Sequence, residues 1–534
     1  MAKRVLPAGA IGRAVAHRRG ADALAVALPV VLSFAVGLWA LARPALWRDE
    51  AVTIGVARRP PWDALRLLAD IDAVHGLYYL LMHPVVAVFG AGETAVRLPS
   101  VLGAAAASGL TAWLGMRLAD ARTGLVAGLL VAVSPAMSRY AQEARQYTWV
   151  TALAVAATLL LVRALDRRDD GDGGARRAWA AYGAMVALMG WLHLFSLLLV
   201  LPHAVAARRD LRRWAVAAGC ALAAALPLAL LSVTQRAQVN WITRPGRDDL
   251  WYLLDTLSGG RRLILPTLAL VAVALWRPIV RRIGDAADDT RWGLLAWLVL
   301  PPVALLAVSF VIPTYLFRYV LFCFPALALL VALGLRRLPA WAAAAAAAAL
   351  AVAMLPAHRQ IRAPDARADD LRTLSTVIRT GKQPGDALLF HQNYYRRAMS
   401  AYADAYAGLR DIALARTGTQ SGTIDGEEVP AAELARRLAG VRRLWYVHRN
   451  ARAPDAPDRA KERMVRRSGV FRLVKRWRFK GGTVSLYENV RPGTVPGGAG
   501  AAGDGARRTA AVPGALSPAG GGRSAARPAR PAPA

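Results

Sequence analysis

Two acidic residues stand side by side shortly after the first long apolar stretch of the chain. They are Asp49 and Glu50, within the segment Trp47-Arg48-Asp49-Glu50. At a membrane boundary an unpaired carboxylate is costly, so such a pair is either used or neutralised. One interpretation is a general base in a dry cleft, which takes a proton from a hydroxyl group. The other is structural, with Asp49 capping a helix that runs through 51–56.

A second polar group lies at 70–79, with the sequence DIDAVHGLYY. Its Asp72, His75 and Tyr79 bring a carboxylate, an imidazole and a phenol together before a short apolar segment. These residue types suit the lining of a polar substrate site. An interfacial aromatic belt with solvated charges explains them equally well.

A third group lies at 138–147, with the sequence SRYAQEARQY. On a helix Arg139 and Glu143 share a face, because they are four residues apart, and they could form an ion pair. The alternative is phosphate binding by Arg139 and Arg145, since the planar fork of arginine matches phosphate oxygens. In that interpretation Tyr140 and Glu143 line the same site.

A fourth group, Pro313–Tyr319, precedes another apolar stretch and contains Tyr315 and Arg318. Arg318 either extends to lipid head groups or contacts the phosphate of a lipid-linked substrate. His193, inside a long apolar stretch, is interpreted as a packed residue at a helix break.

The elements that carry these groups are membrane spans, because about 20 apolar residues cross a bilayer core. The predicted spans number eleven. They are 23–42, 98–116, 123–138, 148–165, 179–191, 194–207, 214–234, 263–280, 292–312, 319–335 and 340–356. The first is a signal anchor, since its apolar stretch is too long for a cleaved signal peptide.

The short apolar run 76–92 decides the topology. With a cytoplasmic N-terminus, all five dense basic loops lie inside only if this run does not cross the membrane, as the positive-inside rule requires. We therefore predict that 76–92 is a re-entrant or juxtamembrane segment on the outer side. The four polar groups then share the outer face of the membrane, and the C-terminal part is external.

The chain divides into four predicted segments. Residues 1–22 form a basic cytoplasmic N-terminus and 23–356 the transmembrane domain. Residues 357–490 have strand-length apolar runs at 386–391, 443–448 and 483–488 with helical patterns between them, which predicts a small external α/β domain. Residues 491–534 are rich in Gly, Ala, Pro and Arg, which is typical of a disordered tail. The predicted fold class is thus a mainly α, polytopic membrane protein with a small α/β domain.

Composition and charge exclude several classes of protein. Hydrophobic residues make up 56% of the 534 residues, which excludes a disordered chain. The net charge of +33 could suggest nucleic acid, but 22 of the 68 basic residues lie in the N-terminus and inner loops and 32 follow residue 356. The charge is mainly topological, so no nucleic-acid partner is predicted. Cys220 and Cys323, both inside apolar runs, indicate neither a disulfide framework nor a zinc site.

The order of the polar groups resembles the polytopic GT-C glycosyltransferases. Asp49-Glu50 follows the first span, an Asp-x-x-His element ends at His75, Arg97-Leu-Pro-Ser opens the second span, and Arg-Tyr…Glu-x-Arg follows the third. Within that superfamily the chain is most similar to glycosyltransferase family 39, with its protein O-mannosyltransferases, aminoarabinose transferases and galacturonosyltransferase-like members. The chain has Gly76-Leu77 where many relatives have Pro-Pro, so a different turn is expected there.

The resemblance implies an inverting transfer of a sugar, mannose being the first candidate, from a polyprenyl-phosphate donor to an acceptor hydroxyl. Asp49 would be the base, and Glu50 would orient the site. Arg97, Arg139, Arg145 and Arg318 would bind the donor phosphate; Asp72, His75, Tyr79, Tyr140, Glu143 and Tyr315 would line the substrate. The acceptor would be a protein, a lipid or a cell-wall glycan. A divalent cation is compatible with this chemistry but not required, because the arginines could neutralise the monophosphate.

Two other functions use the same features. A transporter or flippase of lipid-linked sugars would also have many spans and buried polar residues, although no internal repeat is apparent. A membrane-anchored binding protein would act through 357–490. The enzyme is favoured because the polar groups meet at one face of the plasma (inner) membrane rather than at mid-depth.

Overall fold

The structure, a computed structural model, describes residues 8–167, 172–276, 285–449 and 456–496. Several predicted features lie outside these residues. They are the first seven residues of the basic N-terminus, most of the predicted tail (497–534), and the inner-loop residues Arg168, Arg277, Arg281 and Arg282.

The described chain forms two compact units. The first comprises the residues up to Pro44, Asp49–Ala366 and Gly422–Ile424, and the second comprises Ala45–Arg48, Arg367–Ser421 and the residues from Asp425 on. The α-helices up to residue 361 are α1 Ala8–Leu38, α2 Arg48–Ala57, α3 Pro61–Asp70, α4 Gly76–Phe89, α5 Glu93–Leu118, α6 Ala121–Ala132, α7 Pro135–Ala141, α8 Tyr147–Asp166, α9 Asp172–Leu192, α10 Val200–Ala206, α11 Leu211–Thr234, α12 Arg247–Ser258, α13 Ile264–Leu275, α14 Asp285–Val311, α15 Phe324–Leu335, α16 Ala340–Ala353 and α17 Leu355–Ile361.

Apolar helices dominate the first unit, and the predicted fold class is confirmed. Among the described residues, seven helices are long and apolar enough to cross a membrane, or nine if each of two bent helix pairs is one span. The remaining two predicted spans coincide with α9 and with the shorter apolar segment Leu194–Ala206. The break predicted at His193 falls between those two segments. The count of eleven spans stays a prediction.

The bend between α6 and α7 follows from the local sequence. The two helices meet at 57°. Proline disfavours a helical residue before it and suits the first turn of a new helix. Pro135 begins α7 accordingly, and the side chain of Ser134 caps that helix by accepting a hydrogen bond from the backbone N–H of Met137 at 3.3 Å. The bend directs α7, with Arg139, away from the line of α6.

The core of the first unit forms around α5 and α15. Helix α5 packs against α1, α6 and α8. Gly115 permits the α5–α6 approach, because a Cβ atom there would lie 2.7 Å from the Cα atom of Gly124. Such close contact through small residues is typical of membrane helices. Every residue of α15 is buried, and the 3₁₀ helix Phe317–Cys323 leads into it.

A tight turn precedes α4. Asp72 adopts the left-handed conformation, with φ 63° and ψ 27°, and a 3₁₀ turn over Ala73–His75 follows. Aspartate is one of the few residues that tolerate this conformation. Helix α4 has 14 residues, which at 1.5 Å per residue is about 21 Å and shorter than a bilayer core of about 30 Å. This length suits the predicted juxtamembrane segment.

The second unit contains a five-stranded mixed sheet. Its strands are β1 Ala387–Phe390, β2 Arg410–Asp411, β5 Arg443–His448, β6 Phe471–Phe479 and β7 Gly482–Asn489, in the order β2-β1-β5-β7-β6. Strand β1 is parallel to β2 and β5, whereas β7 is antiparallel to β5 and β6. Strands β3 Leu414–Arg416 and β4 Glu427–Glu428 form a separate pair. The helices are α18 Leu371–Gly381, α19 Arg397–Ala401, α20 Ala403–Tyr406, α21 Gly418–Ser421, α22 Ala431–Ala439 and α23 Ala456–Glu462.

Strands β1, β5 and β7 fall on the three predicted strands, whereas β6 was not predicted. The first polar residue after β1, His391, is buried, and its Nδ1 atom lies 2.5 Å from the phenol oxygen of Tyr446. This histidine is therefore packed within its own unit. This packing is typical of an ordinary loop rather than of a binding site.

Candidate active site

The side chains of Asp49 and Glu50 point in different directions from helix α2. The helix begins at Arg48, so both carboxylates lie in its first turn and neither residue is the N-cap. Neighbouring residues on a helix do not face each other. The side chain of Glu50 is fully buried, whereas that of Asp49 is 20% exposed.

Glu50 forms a bidentate ion pair with Arg97. The Nε and Nη2 atoms of Arg97 donate to the two carboxylate oxygens, each at 2.7 Å. Its Nη1 atom donates to the carbonyl oxygens of Leu41 and Pro44, each at 2.8 Å. The backbone N–H of Ala144 adds a third hydrogen bond to Glu50, at 3.1 Å. This arrangement, the Glu50–Arg97 clamp, ties together the start of α2, the segment before it, α5 and the segment before α8.

The clamp corrects one predicted role. The sequence suggested that Arg97 contacts a donor phosphate, but all three nitrogens of its guanidinium group bond to groups within the protein, and its side chain is fully buried. Glu50 is likewise enclosed and cannot meet an acceptor. Both residues hold the backbone that carries the neighbouring Asp49, which makes them positioning residues.

Asp49 faces two other arginines. Its Oδ2 atom lies 3.4 Å from Nη1 of Arg318 and 3.9 Å from Nη2 of Arg145. Of the four carboxylates predicted for the site, Asp49 has the most exposed side chain, at 20%, against 12% for Asp72, 1% for Glu143 and 0% for Glu50. It is therefore the carboxylate that an incoming hydroxyl group can reach most easily.

Arg145 is held by a chain of hydrogen bonds that ends at the left-handed turn. Its Nη1 atom donates to the phenol oxygen of Tyr79 at 3.1 Å, and Tyr79 donates to Asp72. The second oxygen of Asp72 lies 2.7 Å from Nδ1 of His75. Burial alone would raise the pKa of Asp72, but His75, Arg145 and Tyr79 outweigh it and lower that pKa to about 2. Asp72 is thus a carboxylate at neutral pH and fixes Tyr79, which in turn fixes Arg145.

Two buried guanidinium groups keep unused donors. The Nε atoms of Arg145 and Arg318 are buried and have no hydrogen-bond partner. Buried N–H groups of this kind are usually satisfied, so two beside one carboxylate require an explanation. Burial acts to lower the pKa of Arg145, but its interactions with groups such as Tyr79 and Asp49 together outweigh burial and raise that pKa. The guanidinium group therefore stays charged. The pair is suited to binding an anion with phosphate geometry.

Arg139 and Glu143 form the ion pair that their spacing predicts. The guanidinium group of Arg139 contacts one oxygen of Glu143, and it also lies 5.6 Å from the ring centre of Tyr140. The other oxygen of Glu143 is buried without a partner. Most of the charge of Arg139 is therefore balanced locally, so that a direct contact with a second anion is less favourable here than at Arg145 and Arg318.

Arg318 lies beside a group of rings that we call the aromatic cluster, made of Tyr147, His193, Phe195 and Tyr319. The guanidinium carbon of Arg318 is 5.9 Å from the ring centre of Tyr147 and 5.7 Å from that of Tyr319. The ring of His193 lies 5.8 Å from Tyr147 and 5.1 Å from Tyr319. Cation–π contacts at these distances fix the arginine without using its N–H donors.

The two remaining predicted tyrosines are buried. Tyr315 is close to Arg318 in the sequence, and Tyr140 is close to it in space. Tyr140 lies 5.4 Å from Tyr147 and 6.3 Å from Phe317, ring centre to ring centre. The phenol oxygen of Tyr315 is buried and has no partner. Tyr140 thus extends the aromatic cluster, and Tyr315 offers a further polar atom.

No site for a metal ion emerges among the residues that the structure describes, since no three or more His, Cys, Asp or Glu side chains converge there. Asp49 already faces two guanidinium groups.

Comparisons with known proteins find a family model and solved structures that resemble this chain. Residues 77–234 match the sequence model of a family described as dolichyl-phosphate-mannose-protein mannosyltransferase. No curated protein matches the sequence significantly. The matched range contains the predicted residues from Tyr79 to Arg145.

Solved structures extend the likeness over most of the chain. ArnT from Cupriavidus metallidurans matches in the apo state with a TM-score of 0.57 and, bound to undecaprenyl phosphate, with a TM-score of 0.58. Both matches have 15% sequence identity and cover 86% of this chain and 97% of ArnT. The chain has the fold of the GT-C membrane glycosyltransferases. An oligosaccharyltransferase from Archaeoglobus fulgidus matches more weakly, with a TM-score of 0.49 and 11% identity, over 79% of this GT-C chain and 67% of the archaeal chain.

The GT-C fold brings six of the twelve predicted residues into two linked sets. Asp49, Arg145 and Arg318 meet directly, and Tyr79, Asp72 and His75 support them. Sequence reasoning passed over His193, whose contacts with Tyr147 and Tyr319 depend on segments far apart in the chain. Its only signal in the sequence was a polar residue within an apolar stretch.

Proposed function

We propose that this GT-C protein transfers a sugar from a polyprenyl-phosphate donor to an acceptor hydroxyl at the outer face of the plasma membrane, with inversion at the anomeric carbon. One observation carries the proposal: the buried, unpartnered Nε donors of Arg145 and Arg318 flank the accessible carboxylate of Asp49. The fold shared with ArnT, one of whose structures contains undecaprenyl phosphate, supports this class of donor.

The geometry suits a single displacement. The oxygen of the acceptor hydroxyl bonds to the anomeric carbon while Asp49 takes the proton of that hydroxyl. The bond between that carbon and the phosphate oxygen breaks, and the polyprenyl phosphate leaves with the electron pair. Arg145 and Arg318 stabilise the negative charge that develops on the phosphate. One displacement inverts the configuration, and the buried surroundings keep water from competing with the acceptor.

Mannose is the sugar to test first, because the matching family model carries that description. The purified chain in nanodiscs is incubated with radiolabelled undecaprenyl-phosphate-mannose and an envelope extract that supplies protein, lipid and glycan acceptors. We expect label to move from the donor to an acceptor fraction. Movement of intact donor across a vesicle membrane, without any transfer, would favour a flippase instead.

Arg318→Gln is expected to weaken binding of undecaprenyl phosphate about 10- to 100-fold, the range that a hydrogen bond to a charged group supplies. Binding is measured by the quenching of a fluorescent polyprenyl-phosphate analogue. Arg117→Gln is the matched control, because Arg117 forms a half-exposed pair with Asp166. Equal binding by the Arg318 variant, at an unchanged unfolding temperature, would contradict the phosphate role.

The outer-face location makes a separate prediction. Alkaline phosphatase fused after residue 240 is expected to be active outside the cytoplasm, and a green fluorescent protein fused after residue 167 is expected to fluoresce inside. The physical reason is the retention of dense positive charge on the cytoplasmic side. The reverse pattern would put the site on the inner face and overturn the proposed topology.

A further inference from the structure

Several of the buried polar atoms that have no partner belong to residues of the proposed donor site or to their neighbours. Besides the two arginine Nε atoms, they include Nε2 of His193 and both amide atoms of Gln146. Most buried polar groups in proteins are hydrogen-bonded, and the exceptions often mark a ligand. A phosphate accounts for the arginines, but it does not account for His193.

The backbone around His193 is fixed on both sides. Helix α9 ends at Leu192, and the backbone N–H of His193 donates to the carbonyl oxygen of Met189 at 2.9 Å. The carbonyl oxygen of His193 accepts from the N–H and the hydroxyl of Ser196, at 2.9 and 2.6 Å. The extended conformation at His193 breaks the helical path and turns its ring into the aromatic cluster.

The ring of His193 is one aromatic layer away from the phosphate-binding arginine. Tyr147 and Tyr319 contact Arg318 on one side and His193 on the other. His193 is 5% exposed, so its ring is almost fully enclosed by the protein. A sugar joined to a phosphate at Arg318 would extend along these rings, and Nε2 of His193 is a polar atom within them that no protein group uses.

We propose that Nε2 of His193 hydrogen-bonds a hydroxyl group of the donor sugar, so that the aromatic cluster is the sugar subsite and His193 a specificity-determining residue. The inference rests on the proposed function. Its chemistry is that of ligand pockets in general, where apolar and aromatic walls carry a few placed polar atoms that fix orientation. A site that bonds a hydroxyl discriminates strongly against ligands that lack it, because its own polar atom is then left unpaired.

His203 provides a matched control within the same unit. It is also buried, but its Nδ1 and Nε2 atoms lie 3.1 Å from the hydroxyl groups of Tyr182 and Thr158, respectively. Its imidazole is therefore satisfied by the protein. Replacing it by phenylalanine removes a buried histidine without touching the aromatic cluster.

The test uses the full chain in nanodiscs. It compares the affinity for a lipid phosphate that carries a sugar with the affinity for the same lipid phosphate without one. The probes are undecaprenyl phosphate and its mannose, glucose and galactose derivatives. His193→Phe is expected to leave the affinity for undecaprenyl phosphate within about twofold and to weaken the preferred sugar derivative about tenfold, the factor that one hydrogen bond supplies. His193→Gln, which keeps a polar group, is expected to recover part of that loss. His203→Phe is expected to leave the ratio of the two affinities unchanged.

Each other outcome overturns a definite statement. Equal losses for both probes, or no loss for either, overturn the role of His193 and leave the proposed function standing. A wild-type chain that binds undecaprenyl phosphate but prefers none of the sugar derivatives overturns the sugar subsite. A wild-type chain that binds none of the probes overturns the proposed function and the subsite together.

Discussion

Asp49→Asn is expected to lower the rate of sugar transfer about 10²- to 10⁴-fold, the usual contribution of a general base. Asparagine keeps the shape of the side chain but cannot accept the proton of the acceptor hydroxyl. The variant removes the negative charge of Asp49, which lies beside both Arg145 and Arg318. It is therefore expected to bind undecaprenyl phosphate at least as tightly as the wild type, since a competing negative charge is gone.

These two readouts separate catalysis from folding. Radiolabel transfer from the donor gives the rate, and quenching of the polyprenyl-phosphate analogue gives the affinity. Asp166→Asn is the control, because the carboxylate of Asp166 is 54% exposed and pairs with Arg117 on the surface. Transfer by the Asp49 variant at more than a third of the wild-type rate would identify another group as the base.

Arg97→Met is expected to destabilise the protein by about 3–5 kcal/mol, because it leaves the carboxylate of Glu50 buried and uncompensated. Both side chains of this pair are fully buried, and the guanidinium also holds the carbonyl groups of Leu41 and Pro44. The measurement is the free energy of unfolding in mild detergent, with the unfolding temperature as a second observable. The double variant with Glu50→Gln is expected to recover part of the loss, since the buried charge is then removed.

Arg117→Met is the matched control for this prediction. Its ion pair is half exposed, so a loss of at most about 1 kcal/mol is expected. An Arg97 variant that keeps its stability but fails to bind undecaprenyl phosphate would restore the phosphate contact that the sequence suggested. Loss of stability, with binding preserved in the folded fraction, is the result that the Glu50–Arg97 clamp predicts.

Local patterns in the sequence predicted much of the architecture. Apolar length predicted the spans, and short runs of mostly buried residues predicted β1, β5 and β7. The four-residue spacing of Arg139 and Glu143 predicted their ion pair, since it depends only on helical periodicity. In each case the prediction depends on residues that are close together in the sequence.

Contacts between distant elements escaped prediction. Glu50 and Arg97 are 47 residues apart, and nothing in either motif indicates that their side chains pair. The same holds for His193 and Tyr319, which meet only once the helices have packed. Asp49 and Glu50 are adjacent and have the same charge, yet the side chain of Glu50 is fully buried and that of Asp49 is 20% exposed, a difference that the sequence does not reveal.

Strand β6 was not predicted from the sequence for a different reason. Its sequence, FRLVKRWRF, carries four basic residues and lacks strict alternation of apolar and polar side chains. It lies at the edge of the sheet, where most of its side chains are exposed and Arg472 pairs with Glu488 on β7. Charges on an edge strand discourage pairing with another chain. They also interrupt the apolar run by which a strand is recognised in the sequence.

The Glu50–Arg97 clamp also sets an order of events during biosynthesis. Glu50 leaves the ribosome 47 residues before Arg97, and the N–H of Ala144 follows 94 residues after Glu50. Translation proceeds at about 5–20 residues per second, so Arg97 is made roughly 2–10 s after Glu50. Throughout that interval the first membrane helix is already made, so an insertion partner or water must keep Glu50 solvated. The Glu50–Arg97 clamp can close completely only after Ala144 has been translated.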